Sequence, residues 1–265
     1  MNEIFGMLER VREQKPLVHH ITNWVTIYDC ANVVRTVGAL PVMAHAEEEV
    51  ADMAVLASAL VLNIGTLTAD IIEAMKIAGE AANAKNIPVI LDAVGAGATK
   101  LRDEKTAELL KELRIDIIKG NASEIAKIAG MDVYTKGVEA GKVEGDLKEI
   151  ACQLARKREA TVVITGRQDI VAGGNSLYLC SNGDAMMGSI VGTGCMATSV
   201  IGAFAAVEKD YAKAASAALS VFGIAGEIAA QHSAGPGTFK INFYDTLYNI
   251  SEQDVEKLLR MEKLR

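Results

Sequence analysis

The stretch SIVGTGCMATSVIGAF, residues 189–204, sets Gly192, Thr193, Gly194 and Cys195 directly before a long apolar run that reads as a helix. Glycines at such a place let the backbone pass close to a ligand. The unpaired N–H groups and positive dipole end of a helix start then suit an anion such as a phosphate. A tight strand-to-helix turn, with glycine chosen for sterics, accounts for the same three residues, and the GxxxxGK[ST] pattern of a Walker A loop is absent. Cys195 would sit in the first turn, where the dipole lowers a thiol from its ordinary pKa of ~8.5 and fits it to accept a proton or to attack an electrophile. Packing is the alternative, since cysteine is among the most buried residue types. His19, His20, His45 and His232 show no spacing that would pair one of them with the thiol as in a cysteine hydrolase.

Asn121 and Glu124 in KGNASE have the spacing of a capping box. The same spacing leaves Glu124 where a carboxylate could hold Mg²⁺ directly or through water. Asp92, which ends the apolar run PVILD, offers a second carboxylate or else opens a turn. Magnesium usually takes one or two protein carboxylates plus phosphate oxygens, so Asp92 and Glu124 fit a nucleotide·Mg²⁺ site. Lys119 could balance a transferring phosphoryl group, and Thr165 and Gly166 could line a nucleotide pocket. Each of these three is equally readable as a solvated strand-end residue.

These residues need strands that deliver them to one edge. Apolar runs alternate with amphipathic segments: ALVLNIG, TADIIEAMKIAGEAANAKN, PVILDAVGAG, EKTAELLKEL, DIIKGN, ASEIAKIAG, DLKEIACQLARKR and TVVITG. Nearly continuous apolar strands are buried on both faces, which predicts an α/β fold with a mostly parallel central sheet and helices on both faces. RQDIVAGGNSLYLCSNGD alternates with turn residues as an antiparallel hairpin does, YAKAASAALSVFGIAGEIAAQH is helical, and EQDVEKLLRM closes as an amphipathic helix. Ile4, Leu8 and Val11 share one face of a first helix. Ligands of open α/β sheets bind beyond the carboxyl ends of the strands, where Asn63–Thr66, Asp92–Gly97, Lys119–Glu124, Thr165, Gly166 and the glycine turn fall. No linker rich in Pro, Ser or charge and no repeat interrupts the 265 residues, so a single domain over 1–265 is expected.

Composition narrows the partner. A net charge of −7 without a strong basic run argues against a nucleic-acid or anionic-membrane binder and for a small molecule. Cys30, Cys152, Cys180 and Cys195 form no CxxC pair, which disfavours zinc and a disulfide framework and suggests a reduced, cytoplasmic setting. The first residues lack a signal-peptide core, and the run after Cys195 is broken by Thr198, Ser199 and Gly202, so no membrane span of ~18 apolar residues is expected. The N-terminal third differs from the rest: Asn23, Asn32, Pro41, Met43 and His45 stand among apolar groups, a setting for an aromatic heterocycle bearing a hydroxyl. Trp24 and Met43 are equally readable as core.

HHITNWVT, GALPVMAHAEEEVADM, ALVLNIGTL, LDAVGAGAT, KGNASEI and GTGCMAT, in this order, resemble the hydroxyethylthiazole kinases of thiamine biosynthesis and salvage, within the ribokinase-like superfamily. The resemblance implies ATP- and Mg²⁺-dependent phosphorylation of 4-methyl-5-(2-hydroxyethyl)thiazole by a homotrimer with thiazole sites at subunit interfaces. It implies that Met43 helps form the thiazole pocket with Asn23 and Gly65 nearby, and that Lys119 and Thr165 contact ATP beside Gly166. It further implies that Asp92 and Glu124 organise the metal, that Gly192, Thr193 and Gly194 form an anion hole meeting the substrate hydroxyl, and that Cys195 stands where most of the superfamily has an aspartate base. Positioning and charge neutralisation carry most of such a transfer, so Cys195 is expected to assist without being indispensable. Two departures are visible. Ala93 follows Asp92 where proline is common, which is expected to loosen that turn, and Lys119 replaces a usual arginine, which loses bidentate grip on phosphate. The rival readings are a kinase for a hydroxymethylpyrimidine or pyridoxal-like alcohol, and a non-catalytic nucleotide-binding module.

Overall fold

Runs such as ALVLN and VILD do not alternate because helices cover both faces of the sheet they enter. A computed structural model describes residues 2–131 and 145–265. The described strands are β1 (Leu17–Ile21), β2 (Leu40–Val42), β3 (Ala59–Asn63), β4 (Val89–Asp92), β5 (Ile117–Asn121), β6 (Thr161–Thr165), β7 (Asp169–Gly173), β8 (Ser176–Cys180) and β9 (Met261–Lys263). They form one sheet in the order β2-β1-β3-β4-β5-β6-β7-β8-β9. Pairing is parallel from β2 to β6 and antiparallel from β6 to β9. This is the mostly parallel α/β sheet read from the sequence, with the expected hairpin at β7 and β8.

Alternate residues of each strand feed two cores. Val18, Val61, Ile90 and Val163 pack with α1 (Glu3–Gln14), α2 (Ile27–Thr36), α8 (Thr193–Val207), α9 (Tyr211–Gln231), α10 (Pro236–Asn249) and α11 (Glu252–Leu258). Leu60, Leu62, Leu91, Ile118 and Val162 pack with α3 (Val50–Leu56), α4 (Ala69–Lys85), α5 (Lys100–Glu112), α6 (Ala122–Ile128) and α7 (Leu147–Arg158). The boundaries have local causes. Thr68 caps α4 by accepting from the Ile71 N–H, and Asn86 ends it at φ 60°.

Three features escape periodicity. Helix α10 opens on Pro236, a first-turn proline signal that precedes an otherwise mixed segment. Strand β9 has three residues, and its partner β8 fixes it rather than any pattern of its own. Among the described residues α9 alone is long and apolar enough to cross a membrane by length and composition, yet 78% of its apolar window is buried inside the protein. It is a core helix, and its charged positions Lys213 and Glu227 lie toward its two ends. The four cysteines are unpaired.

Candidate active site

The carboxyl ends of β3 to β6 meet the start of α8 along one edge of the sheet. Gly192 reaches that start at φ 94°, and a Cβ on it would stand 2.6 Å from the Thr26 methyl. Thr193 Oγ1 lies 2.6 Å from the Met187 carbonyl and 3.1 Å from that of Ile190, which closes the turn from behind. At Gly194 a Cβ would approach Lys119 Nζ to 3.2 Å, so the ammonium lies directly beneath the turn. Thr165, Gly166, Thr193 and Gly194 share the wall of a cleft of about 840 Å³ with Ala197 and Phe222. The anion turn and the expected nucleotide residues are thus brought together.

Asp92 does more than open a turn. Its Oδ1 accepts from Lys119 Nζ at 3.1 Å, and its Oδ2 accepts from Asn63 Nδ2 at 2.8 Å and Thr198 Oγ1 at 2.7 Å. The Lys119 and Asp92 side chains are 5% and 0% exposed, so Lys119 is a buried partner of Asp92 and not a solvated strand-end residue. Burial works against the Lys119 ammonium, but the charges of Asp92, Cys195 and Glu124 outweigh it and raise its pKa. The expectation that Ala93 loosens this turn is corrected. Its N–H donates to the Lys119 carbonyl at 2.9 Å, a rung that proline could not supply.

Asn121 and Glu124 form the capping box, with Glu124 Oε2 accepting from the Asn121 N–H at 2.7 Å. The other oxygen accepts from the Gly95 N–H at 2.7 Å, so the carboxylate also anchors the loop after β4. Burial pushes the Glu124 carboxyl up, opposed by Lys119 and the two N–H bonds. No cluster of three metal-binding side chains occurs among the described residues. Two carboxylates, of which Glu124 keeps a lone pair on each oxygen, fit a magnesium ion held mainly by phosphate oxygens and water.

Cys195 lies partly buried in the first turn of α8, with Asn23 Nδ2 at 3.4 Å from its Sγ. The expected lowering by the dipole is reversed. Burial first, then the Asp92 charge, pushes the thiol up, against Lys119 and hydrogen bonds from Thr26 and Asn63. A protonated thiol at neutral pH cannot begin as a base. Alkylation of Cys195 by iodoacetamide at pH 7 is therefore expected to be slower than that of a free cysteine, as peptide mass spectrometry would read.

Gly65 sits against Asn23: a Cβ on it would come within 3.0 Å of the Asn23 Cβ. Met43 is half-buried just past β2, and its carbonyl accepts from His45 Nδ1 at 3.2 Å. His45 in turn meets Trp24 edge-on at 4.6 Å between ring centres. Among the described residues no hydrogen bond links Met43 to Asn23 or Gly65, and the contact to His45 is made by its backbone carbonyl.

A family model for the "Hydroxyethylthiazole kinase family" matches residues 8–253. The chain is 57% identical over 257 residues to the hydroxyethylthiazole kinase of Methanosarcina mazei, covering 97% of this chain and 98% of that one. It belongs to the hydroxyethylthiazole kinase family. A solved hydroxyethylthiazole kinase from Pyrococcus horikoshii superposes with a TM-score of 0.91 at 39% identity, over the whole of both chains. Pyridoxal kinase from Staphylococcus aureus shares the fold alone, with a TM-score of 0.59 at 16% identity over 80% of this chain and 88% of that one.

Sequence reasoning missed several residues in this family member's site. Thr198 was read only as a break in an apolar run, although it stands one turn beyond Gly194 on the same helical face. Arg102 fastens the loops after β3 and β4 by donating to the carbonyls of Ile64, Gly65 and Val94, each at 2.8 Å. Asp169 accepts from the Gly166 N–H at 2.9 Å, and its three-residue offset from Gly166 was a legible turn signal. Burial pushes the Asp169 carboxyl up to about 6. A carboxyl raised on folding costs nothing below its unfolded pKa, and the cost grows as pH rises to the folded value. Asp169→Asn is accordingly expected to raise the urea midpoint at pH 7.5 and leave it unchanged at pH 3.5.

Proposed function

We infer that the protein transfers the γ-phosphoryl group of ATP to the hydroxyl of 4-methyl-5-(2-hydroxyethyl)thiazole, supplying the thiazole phosphate for thiamine synthesis, as one unit over residues 1–265. The observation that carries this reading is the glycine turn with a buried ammonium beneath it, open to the nucleotide-sized cleft on one side and to Asn23 and Cys195 on the other.

The backbone N–H groups at Gly192 to Gly194 receive the charge that develops on the phosphoryl oxygens, with the Lys119 charge behind them. Thr165 and Gly166 hold the donor's phosphate chain in the cleft. Asn23 and Gly65 orient the acceptor, with Met43 against the heterocycle. As the oxygen bonds to phosphorus its proton becomes acidic and passes late to solvent, either directly or by relay through the Cys195 thiol, which takes it at Sγ only as its own proton leaves. Magnesium, held by phosphate oxygens and by Glu124 and Asp92 directly or through water, would neutralise charge on the polyphosphate. Cys195→Ser is then expected to lower kcat by about tenfold, less than the ~10²–10⁴ of an indispensable general base; a folded but inactive variant would assign the thiol a larger part. Glu124→Gln is expected to raise the magnesium concentration for half-maximal rate sharply, and an unaltered titration would leave Glu124 a capping residue only.

The acceptor side is open in one chain: Trp24, Val25, Tyr28 and Val191 are 48%, 66%, 76% and 72% exposed. Such a patch beside the site supports its covering by second copies, as in the expected homotrimer. Sedimentation should return three times the 28.1 kDa chain mass.

The reading is tested by ADP release from Mg·ATP with the thiazole alcohol, with hydroxymethylpyrimidine and with neither. Thiazole-dependent release is expected. Release with the pyrimidine alone moves the function to that kinase, and ATP binding without release makes the protein a non-catalytic module.

A further inference from the structure

Asn63 is 2% exposed at the end of β3 and takes part in three hydrogen bonds. Its Nδ2 donates to Asp92 Oδ2 at 2.8 Å, while its Oδ1 accepts from Asn23 Nδ2 at 3.0 Å and from the Gly65 N–H at 2.9 Å. Only one orientation of that amide is compatible with its neighbours. A carboxylate can only accept and a backbone N–H can only donate, so the nitrogen must face Asp92 and the oxygen must face Gly65. The next amide has a sense that agrees with this one. Asn23 can reach the Asn63 oxygen only with its own nitrogen, and its Oδ1 then accepts from the N–H groups of Val25 and Thr26 and from Thr26 Oγ1, all at 3.1 Å. That same nitrogen is the atom 3.4 Å from Cys195 Sγ.

We propose that Asn63 is a positioning residue: its oxygen, turned away from Asp92, anchors the Asn23 nitrogen, whose sense the Val25 and Thr26 N–H groups also fix, so that the Asn23 donor is held in place toward Cys195 and the reacting hydroxyl. A donor at that place holds the hydroxyl by a lone pair and leaves its proton free to point away from the amide. An acceptor there would draw the proton toward itself and turn the attacking lone pairs off line. Asn63 also lies beside the Cys195 thiol, but it reaches the reacting hydroxyl through Asn23. The proposal rests on the reading of Asn23 as an acceptor-side residue of the kinase.

The test is a double-mutant cycle of Asn63→Ala and Asn23→Ala, read as turnover per active site with KM for the thiazole alcohol and for Mg·ATP, and with thermal unfolding alongside. Asn63→Ala is expected to lower kcat by about 100-fold, the scale of a small misplacement of a reacting group. KM for Mg·ATP should hold within about threefold, since Asp92 keeps Lys119 and Thr198 as partners when Asn63 is lost. In the Asn23→Ala background the same change should cost less than about threefold, because the group it acts through is gone. Additive losses would overturn the proposal, as would a lower melting temperature with unchanged turnover per active site. Should Asn63→Ala fail to fold, Asn63→Ser carries the same cycle, since a short hydroxyl cannot span Asp92 and Asn23 together. An active wild type whose Asn63 variants behave additively rejects the positioning role alone. A wild type without thiazole-dependent turnover rejects the functional reading and this role with it.

Discussion

Replacing Asp92 with alanine is expected to destabilise the protein by about 3–5 kcal/mol, the scale for breaking a fully buried ion pair. The loss arises because the Lys119 ammonium remains inside without its hydrogen-bonded counter-charge, while Asn63 Nδ2 loses its acceptor and Thr198 Oγ1 is left with the Gly194 carbonyl at 3.1 Å. Chemical denaturation would show it as a lower midpoint. Removing the whole pair should behave differently. Asp92→Asn combined with Lys119→Met removes both charges of the pair and leaves one oxygen still able to accept, so the midpoint should recover above that of Asp92→Ala although turnover does not. A double variant no more stable than the single one would mean that the hydrogen bonds, and not the charge, dominate this part of the core.

Gly194→Val should have the opposite profile, with little effect on the fold and a large one on the reaction. Among the described residues the one atom within 4 Å of a Cβ at 194 is Lys119 Nζ, at 3.2 Å, so the fold asks only that the ammonium give by a few tenths of an ångström. The methyl groups, however, would occupy the space where a phosphoryl oxygen must meet the N–H groups and feel the ammonium below. Loss of one such donor typically costs about 10²–10³ in rate, and blocking the turn should cost at least that. Thermal unfolding and nucleotide binding measured on the same sample would separate the two effects. Unchanged ATP affinity and unchanged turnover would place the anion site elsewhere.

The legible part of the protein was the part encoded by neighbours in sequence. The strands of the parallel sheet announce themselves as uninterrupted apolar runs, and Asn121 with Glu124 carries a cap whose meaning is complete within four residues. The glycine turn was legible for the same reason, since its φ of 94° at Gly192 demands glycine whatever surrounds it. What could not be read was set by distance along the chain. Thr198 meets Asp92 across 106 positions, and the Asn23 to Asn63 bond spans 40, so neither leaves a local pattern. The direction of the Cys195 shift was misread because the helix dipole is visible in sequence and burial beside Asp92 is not. Ala93 was judged by the missing rigidity of proline, although the N–H it restores is what joins β4 to β5 at that point.

The sheet ends on both sides in a strand of three residues. On one side β2 carries Pro41, and on the other β9 carries Glu262 and Lys263, both exposed. A long, flat, apolar border would template pairing with a neighbour's backbone, whereas a proline lacks the donor for it and a charged border resists it. Edge-to-edge growth of this sheet into filaments is therefore disfavoured, and concentrated solutions should resist fibril formation. Copies that associate must do so through helices and loops, which leaves the exposed surface around Trp24 and Tyr28 free to set the stoichiometry.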